Sequence, residues 1–394
     1  MIGTADTGNT SVAASLTPLQ RRLAEVAAHP EHSWTMLLEN VPVWPTRPPV
    51  DDLGRAAETA ALYYPGSFGD PELLTALAYR ERTAGRLAVA EDHLLVTHGG
   101  LHAAGLVFRE LSARGVRRLV CQTPLLGSIA DLALASGLDV KPVSTELLIG
   151  DDGPRAVAEA LLPSTSAVYL NSPHNPTGHV LAADRIAELL ALAEERGCHL
   201  VLDAVYDDFD FTAAVPAGAP LEPSPSLVVL NSFSKNYGAP GLRIGWLCAD
   251  PVLLARLAVR LEYEVIAVSG PGQRLATRLL AHGNEGLRQT VRDGRAAVAR
   301  WWEELTGGRL AGFSGGTQAW LPLPGVTDDE LFADRLMRDH GIVAVTSHSY
   351  VGDRGAHLRL PVGLPLPVLE PALHRLGRAL RATYSLLPSD DQGV

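Results

Sequence analysis

Three short apolar runs, each ending in a polar residue, restrict what this chain can fold into more than any other feature. The runs are residues 167–171, 199–203 and 227–231. Each is continuously apolar, which is typical of a strand buried on both faces of a parallel sheet. Because open α/β sheets bind their ligands beyond the carboxyl ends of their strands, the polar residues that follow these runs are the first candidates for a functional site.

Amphipathic helices alternate with the apolar runs. Within residues 182–196, Ile186, Leu189, Leu190 and Ala193 recur at the spacing of one helix face. Further strands are expected at residues 93–97, 118–122, 139–143 and 243–248. The alternation predicts an α/β fold, a mainly parallel sheet of about seven strands sandwiched by helices, with a smaller α/β domain beside it.

The pattern changes near residue 280, where a long helical segment leads into glycine-punctuated strands near 317–323 and 342–346. We therefore expect three segments. They are residues 1–59, an N-terminal arm and part of the small domain; 60–282, a large ligand-binding domain; and 283–394, the C-terminal small domain. Residues 1–15 and 388–394 show no periodicity, and we expect both tails to be mobile.

Composition narrows the class of partner and the compartment. The formal net charge of −11 does not attract phosphate backbones, so nucleic acid is a poor candidate partner. The cysteines Cys121, Cys198 and Cys248 lie in or beside apolar runs and are expected to be buried thiols in a reducing cytoplasm. No signal peptide and no apolar run of about 20 residues is visible, so we expect a cytoplasmic protein with no membrane partner.

The segment from Ser232 to Gly245 combines three groups suited to a phosphorylated aldehyde. Lys235 stands three residues after Ser232 and eight residues before Arg243. A lysine amine is a nucleophile only when deprotonated, and burial or a neighbouring cation lowers its pKa. Arg243 and Ser232 offer the fixed cation and the hydroxyl that a phosphate requires. The segment predicts a lysine that forms an imine with a carbonyl ligand.

Two further motifs follow the other apolar runs. Asp203 can pair with a protonated pyridine nitrogen, and Tyr206, three residues later, can reach a phenolic oxygen on the same ring. Asn175 stands in a turn of Pro, Thr and Gly residues that holds its amide rigidly. Each of these residues also has a structural explanation, since Asp203 can cap a helix and Asn175 can be a simple turn residue.

Taken together, these motifs identify a family. Asn-Pro-x-Gly, Asp-x-x-Tyr and Ser-x-Ser-Lys, with an arginine eight residues after the lysine, occur in this order. The chain resembles the fold-type I pyridoxal-phosphate enzymes of the class I/II aminotransferase family over about residues 35–385. The resemblance implies pyridoxal 5′-phosphate as the cofactor, bound by the domain at residues 60–282.

The resemblance assigns a role to each motif residue. Lys235 matches the lysine that forms the Schiff base and later moves a proton, and Asp203 matches the partner of the pyridine nitrogen. Asn175 and Tyr206 match the donors to the ring oxygen, and Asn175 also borders the substrate. Lys235, Asp203 and Tyr206 are therefore the expected catalytic residues. Ser232 and Arg243 match two ligands of the cofactor phosphate.

The resemblance extends to residues outside these motifs. Gly99, Gly100 and Leu101 match a helix start whose backbone amides hold the phosphate. Tyr64 resembles a tyrosine that reaches a phosphate across a dimer interface, which implies a homodimer with shared active sites. Arg359 aligns with the arginine that binds the substrate carboxylate, a bidentate contact that lysine makes poorly.

Three loops depart from the family pattern. Leu126 occupies the position of an aromatic residue that covers the cofactor ring, and Asn40 places an amide beside the reacting carbon. Residues 346–350 replace a loop that usually reads Pro-Gly-x-x-Phe. The favoured function is transfer of an amino group between an α-amino acid, or an amino-acid conjugate, and a 2-oxo acid, in biosynthesis. The alternatives are β-elimination such as C–S cleavage, decarboxylation, oxidative deamination, and ligand binding without catalysis.

Three other sequence features are expected to have structural roles. His98 and His102 stand four residues apart, but no third ligand has fitting spacing, so we expect no metal site. Residues 270–272, Gly-Pro-Gly, lack the context of a dinucleotide-binding loop and are expected to form a turn. Asp207 and Asp208 are expected to be solvated at a strand exit.

Overall fold

The computed structural model describes residues 16–48, 53–84, 86–212, 221–352 and 355–384. The tails at 1–15 and 388–394, for which we predicted mobility, lie outside the described residues. The strands are β1 Thr35–Leu37, β2 Leu94–Thr97, β3 Arg118–Thr123, β4 Leu125–Leu126, β5 Asp139–Ser144, β6 Ser166–Asn171, β7 His199–Asp203, β8 Leu227–Ser232, β9 Gly245–Ala249, β10 Gln318–Pro322, β11 Ile342–Thr346, β12 Tyr350–Val351 and β13 His357–Pro361.

The α-helices cover the faces of the sheets and connect their strands. They are α1 Pro18–Ala28, α2 Leu53–Ala60, α3 Pro71–Thr83, α4 Gly100–Ala113, α5 Gly127–Ala135, α6 Thr145–Ile149, α7 Gly153–Ala160, α8 Ala183–Glu195, α9 Phe233–Asn236, α10 Pro251–Val265, α11 Gly270–His282, α12 Glu285–Thr306, α13 Asp329–His340 and α14 Leu366–Tyr384. Short 3₁₀ turns lie at Glu91–His93, Asp207–Phe209, Pro240–Leu242 and Ser347–Ser349.

Within the described residues, the large sheet has seven strands in the order β2-β9-β8-β7-β6-β3-β5. Only β9 runs antiparallel to its neighbours β2 and β8. The predicted mainly parallel, seven-stranded sheet is confirmed. The pairing places Asn171 beside Asp203, and Asp203 beside Leu230. The polar ends of the three apolar runs therefore meet at one edge of the sheet.

Local sequence sets the start of several helices around this sheet. Helix α3 begins at Pro71, and the side chain of Asp70 accepts the backbone N–H of Glu72 at 3.0 Å. Helix α10 begins in the same way at Pro251, after Asp250. Proline suits the first helical position because its missing N–H has no partner there, and the aspartate satisfies a free N–H that follows.

A second, four-stranded sheet has the order β1-β11-β13-β10. Strand β1 comes from the N-terminal part of the chain and pairs in parallel with β11. Helices α12, α13 and α14 pack on this sheet around a separate core that includes Leu37, Leu287, Trp302, Leu336 and Leu373. The N-terminal segment thus contributes to the same sheet as the C-terminal strands. The domain bounds at 59 and 282 stay predictions.

A two-stranded ladder connects the two sheets. Strand β4 follows the large-sheet strand β3, and β12 follows the small-sheet strand β11. The two pair antiparallel, with Tyr350 opposite Leu126. Two loops that depart from the family pattern are therefore in direct contact with each other.

Two structural expectations are wrong. The Gly-Pro-Gly segment opens helix α11 instead of forming a turn, because Pro271 is tolerated in the first turn and Ser269 accepts the N–H of Gly272 at 3.2 Å. Asp207 and Asp208 are not solvated: Arg80 donates to Asp207 at 2.8 Å and to Asp208 at 3.1 Å. The fold brings this arginine from helix α3, more than a hundred residues earlier in the chain.

The three cysteines are free and buried, as predicted. Among the described residues, no α-helix combines the length and the apolar character needed to cross a bilayer.

Close packing in the smaller core gives a testable prediction. A Cβ added at Gly294, in helix α12, would collide with the backbone carbonyl of Val362. One added at Gly286 in the same helix would make ordinary contacts with Pro45, at 3.5 Å, and Trp44, at 3.9 Å. We expect Gly294→Ala to lower the free energy of unfolding by about 1–3 kcal/mol through overpacking. Gly286→Ala, the control, should be neutral or stabilising by up to about 1 kcal/mol because alanine favours helix. Equal melting temperatures of the two variants would contradict the packing.

Candidate functional site

A cavity of about 290 Å³ lies at the carboxyl edge of the large sheet, facing the smaller sheet. It brings together most of the residues singled out in the sequence. They are Asn40, Gly100, Leu101, Leu126, Asn175, Asp203, Tyr206, Ser232, Lys235, Arg243 and Arg359. Gly99 adjoins this set beside Arg243, and Tyr64 lies outside it. A larger, apolar concavity along α10 contains none of these residues.

Lys235 lies in the short helix α9, directly after β8, and is half-buried. Ser232 caps this helix by accepting the N–H of Ser234 at 3.1 Å. The Lys235 amine donates to Asn40 Oδ1 at 3.0 Å. Burial, aided by the charge of Arg359, lowers the pKa of Lys235 to about 8. An amine with this pKa is partly neutral near pH 7.5 and can act as a nucleophile or a base.

Asp203 ends β7 and is buried on the floor of the cavity. The Tyr169 hydroxyl donates to its Oδ2 at 2.5 Å, and the Val205 N–H donates to its Oδ1 at 3.2 Å. Burial raises the pKa of Asp203 to about 6, although both hydrogen bonds favour the ionised form. A cation bound in the cavity beside this carboxylate would lower that pKa again, so the site is suited to a protonated ring nitrogen.

Asn40 links two residues that the sequence places on separate motifs. Its Oδ1 accepts from Lys235, and its Nδ2 donates to the Tyr206 hydroxyl at 2.6 Å. Burial raises the pKa of Tyr206, so this phenol stays protonated and can donate. Asn40 reaches this position because the Thr317 hydroxyl holds its backbone carbonyl at 2.7 Å.

Arg359 lies in β13 and has a connected set of polar neighbours. Its Nη1 donates to the Tyr350 hydroxyl at 2.9 Å, and that hydroxyl donates to Asn175 Oδ1, also at 2.9 Å. Its Nη2 donates to the Leu38 carbonyl. The buried Nε of Arg359 has no hydrogen-bond partner among the described residues. A buried guanidinium with a free N–H is suited to an anion.

The phosphate candidates form a cradle at the start of α4. Gly99 precedes this helix with φ of +82°, and an added Cβ would lie 2.7 Å from Arg243 Nη2, so only glycine fits there. Gly100 and Leu101 present the unpaired N–H groups of the first helical turn. Ser232 lines the same part of the cavity. A cation, a hydroxyl and a helix N-terminus are thus adjacent, as phosphate binding requires.

Leu126 and Tyr64 differ in their placement. Leu126 is half-buried and lines the cavity, where its aliphatic side chain can cover a flat ligand. The Tyr64 side chain is 78% exposed on the single chain. Three further residues adjoin or line the cavity but belong to none of the sequence motifs, so the sequence analysis gave them no role. They are Tyr169, Tyr350 and Glu39. Tyr169 is hidden within an apolar run, and Tyr350 was visible only as a departure from the family loop.

The two histidines considered for a metal have other partners. The backbone N–H of His98 donates to His102 Nδ1, and the other ring nitrogen of His102, Nε2, lies 3.2 Å from the Glu264 carboxylate. In the described parts of the chain, side chains close enough to hold a metal together occur in two groups outside this cavity. They are His29, Glu31 and His32, and Asp329, Glu330 and His348.

Comparisons with known proteins agree with the predicted family and fold. The model of the family aminotransferase class I and II matches residues 47–376. The 3-methylarginine biosynthesis aminotransferase ArgM of Streptomyces arginensis is 44% identical over 374 residues, covering 94% of this chain and 97% of that protein. The L-aspartate:5-guanidino-3-methyl-2-oxopentanoate transaminase of Pseudomonas syringae pv. syringae is 35% identical over 382 residues, covering 93% and 94%.

A solved structure, the aspartate aminotransferase of Thermotoga maritima, superposes with a TM-score of 0.80 at 21% identity. The match covers 95% of this chain and 100% of that chain. At this identity, the likeness concerns the fold.

The pKa of Lys235 can be measured directly, because the chain contains only two lysines, Lys141 and Lys235. We expect the Lys235 amine of the protein without added ligands to titrate near pH 8, against about 10.4 for a lysine in water, because burial disfavours its charged form. After reductive ¹³C-methylation, NMR should show two dimethyllysine signals, and Lys141→Arg assigns them by removing one. A Lys235 signal that titrates above pH 10 would contradict this environment.

Proposed function

This chain belongs to the class I and II aminotransferase family, and from that premise we propose that its cavity holds pyridoxal 5′-phosphate and that it aminates a 2-oxo acid with a guanidino side chain. Aminotransferases of this family and fold depend on pyridoxal phosphate. The observation that carries the proposal is Lys235, an amine with a lowered pKa in the same cavity as a buried carboxylate and a phosphate cradle.

The residues present fit the cofactor group by group. Arg243, Ser232 and the N–H groups at the start of α4 would hold its phosphate. Asp203 would face the ring nitrogen, and Tyr206 and Asn175 would face the ring hydroxyl. When bound, the cofactor supplies an electron sink that makes the Cα–H of an amino acid acidic enough to remove.

The side chains of this protein supply the proton transfers and the orientation. Asp203, as a carboxylate, keeps a proton on the ring nitrogen through a charge-assisted hydrogen bond. The neutral Lys235 amine removes the proton from Cα and can return it to a different atom, because its pKa lies near the operating pH. Arg359 binds the substrate carboxylate, and its contacts with Tyr350 and Leu38 fix the guanidinium before substrate arrives.

The relatives support the choice of substrate class. Of the two relatives described above, one is named for 3-methylarginine biosynthesis and the other for a guanidino-substituted 2-oxo acid. We therefore assign this chain to the amination of a guanidino 2-oxo acid in a biosynthetic pathway, with an amino acid as the donor.

The proposal is tested by trapping the cofactor on the lysine. Reduction of the holoenzyme with borohydride should fix one cofactor per chain, and mass spectrometry should find it on Lys235. Lys141→Arg, which removes the only other lysine, should be trapped to the same extent. Lys235→Ala should not be trapped at all. Label on Lys141 alone, or none in the native protein, would refute the assignment.

Two further readouts accompany this experiment. Asp203→Ala should keep the fold and the trapped lysine but lose at least about a hundredfold in turnover, because the ring nitrogen loses its partner.

In the native enzyme, 2-oxo acid should form in proportion to new amino acid, without release of ammonia, thiol or carbon dioxide. Release of any of these in that proportion would favour elimination, oxidation or decarboxylation.

We also propose a homodimer in which Tyr64 completes the phosphate site of the partner. The exposed Tyr64 stands beside the exposed apolar side chains of Leu62 and Tyr63, which would be covered on association. Tyr64 lines no part of its own chain's cavity.

Mixed dimers test the sharing of sites. Tyr64→Phe should weaken cofactor binding about ten- to hundredfold by removing a hydrogen bond to a charged phosphate. A heterodimer of Tyr64→Phe and Lys235→Ala chains, made by co-expression with two affinity tags, should regain one site of native cofactor affinity, because the intact Tyr64 and Lys235 then meet across the interface. Tyr64→Phe affinity in the heterodimer, or a monomer in light scattering, would contradict sharing.

A further inference from the structure

The cavity has one charged residue for which the proposed reaction has no use. Its charged side chains are Lys235, Arg243, Arg359, Asp203 and Glu39. The first four match the carbonyl and the phosphate of the proposed cofactor, the carboxylate of the substrate and the ring nitrogen of the cofactor. The fifth, Glu39, has no counterpart in any group common to all α-amino acids. The only part of the substrate left for Glu39 to contact is the side chain of the amino acid.

Contacts on both sides place Glu39 at the substrate. The carbonyl of Leu38, the residue before it, accepts a hydrogen bond from Arg359. The side chain of Asn40, the residue after it, accepts from the Lys235 amine at 3.0 Å. Glu39 is therefore tethered between the group that would bind the substrate carboxylate and the group that would act at Cα.

The Glu39 side chain is free to bind a ligand. It is exposed and lines the cavity. Across the described ranges of the chain, its carboxylate has no hydrogen bond and no ion pair. Its charge opposes the lowering of the Lys235 pKa, which indicates that it lies within electrostatic reach of that amine. Asp203, the other carboxylate of the cavity, is already bonded to Tyr169.

We infer that Glu39 is the specificity-determining residue of this enzyme and that it selects substrates with a positively charged, guanidinium-bearing side chain. This inference rests on the proposed function and names the group that would carry out its choice of substrate. A carboxylate accepts two parallel N–H bonds from a guanidinium and is also attracted by its charge, whereas a neutral side chain of the same shape lacks that charge. Acidic side chains would be repelled by the same charge.

A matched pair of amino acids separates charge from shape. L-Arginine and L-citrulline have side chains of equal length, but the terminal group is charged only in arginine. Each is mixed with the holoenzyme alone at several concentrations, and amino transfer to the cofactor is followed by absorbance. The values of kcat and KM then refer to this half-reaction, and no second substrate enters. The native enzyme should favour arginine, and Glu39→Gln should reduce the ratio of kcat/KM for arginine over citrulline by about five- to tenfold, the range between an exposed and a shielded ion pair.

Two other variants complete the design. Glu304→Gln removes the same charge from an exposed position of helix α12 outside the cavity and should leave the ratio unchanged. Glu39→Lys should reverse the preference, favouring L-glutamate over arginine. Higher ionic strength should raise KM for arginine more than for citrulline in the native enzyme, because the pair forms near solvent.

The outcomes distinguish failure of the inference about Glu39 from failure of the proposed function. An equal fall of both rates in Glu39→Gln, together with a shifted pH profile, would mean that Glu39 acts only through Lys235, and would overturn the inference. An unchanged ratio would overturn it as well. In both cases the native enzyme still transfers amino groups and the proposed function stands. Absence of transfer from every amino acid tested, with cofactor bound, would refute the proposed function and the inference with it.

Discussion

Desolvation at the carboxyl edge of the large sheet is the constraint from which the chemistry of this molecule follows. Burial raises the pKa of Asp203 to about 6 and lowers the pKa of Lys235 to about 8, so both pKa values lie closer to neutral pH than they do in water. A ligand with a cationic ring nitrogen and a carbonyl would interact favourably with both. Perturbed titratable groups that share one cavity are typical of catalytic sites.

A buried polar network beneath the cavity holds this edge in place. Asp207 accepts from Arg80 at 2.8 Å and from Asn236 at 2.5 Å, and Asn236 directly follows Lys235. Asn236 also accepts the N–H of Asp208 at 3.3 Å. Charges buried this deeply are tolerated when they are paired with opposite charges and hydrogen-bonded. The network thereby links the turn after β7 to helix α9 and fixes the direction of the lysine.

The proposed substrate site lies where the two sheets meet. Tyr350, in strand β12, pairs with Leu126 in the ladder that connects the sheets and bridges Arg359 to Asn175. The segment after β1 contributes Glu39 and Asn40 to the same cavity. Under the proposed function, the cofactor groups would be met mainly by the large sheet, and the variable part of the substrate by residues of the N-terminal and C-terminal segments. This division is consistent with a family in which one chemistry serves many side chains.

The amino-acid sequence was sufficient to predict the mainly parallel sheet and the polar residues that follow its strands, because burial on both faces leaves a continuous apolar run and ligands bind where such runs end. It could not place Glu39, Tyr169 or Tyr350, which carry no local pattern, and it misjudged Asp207, whose arginine partner lies on a distant helix. The positions and partners of these four residues became visible only in the folded chain. Pairing, burial and the electrostatic field at a side chain depend on residues that are close in space and remote in sequence.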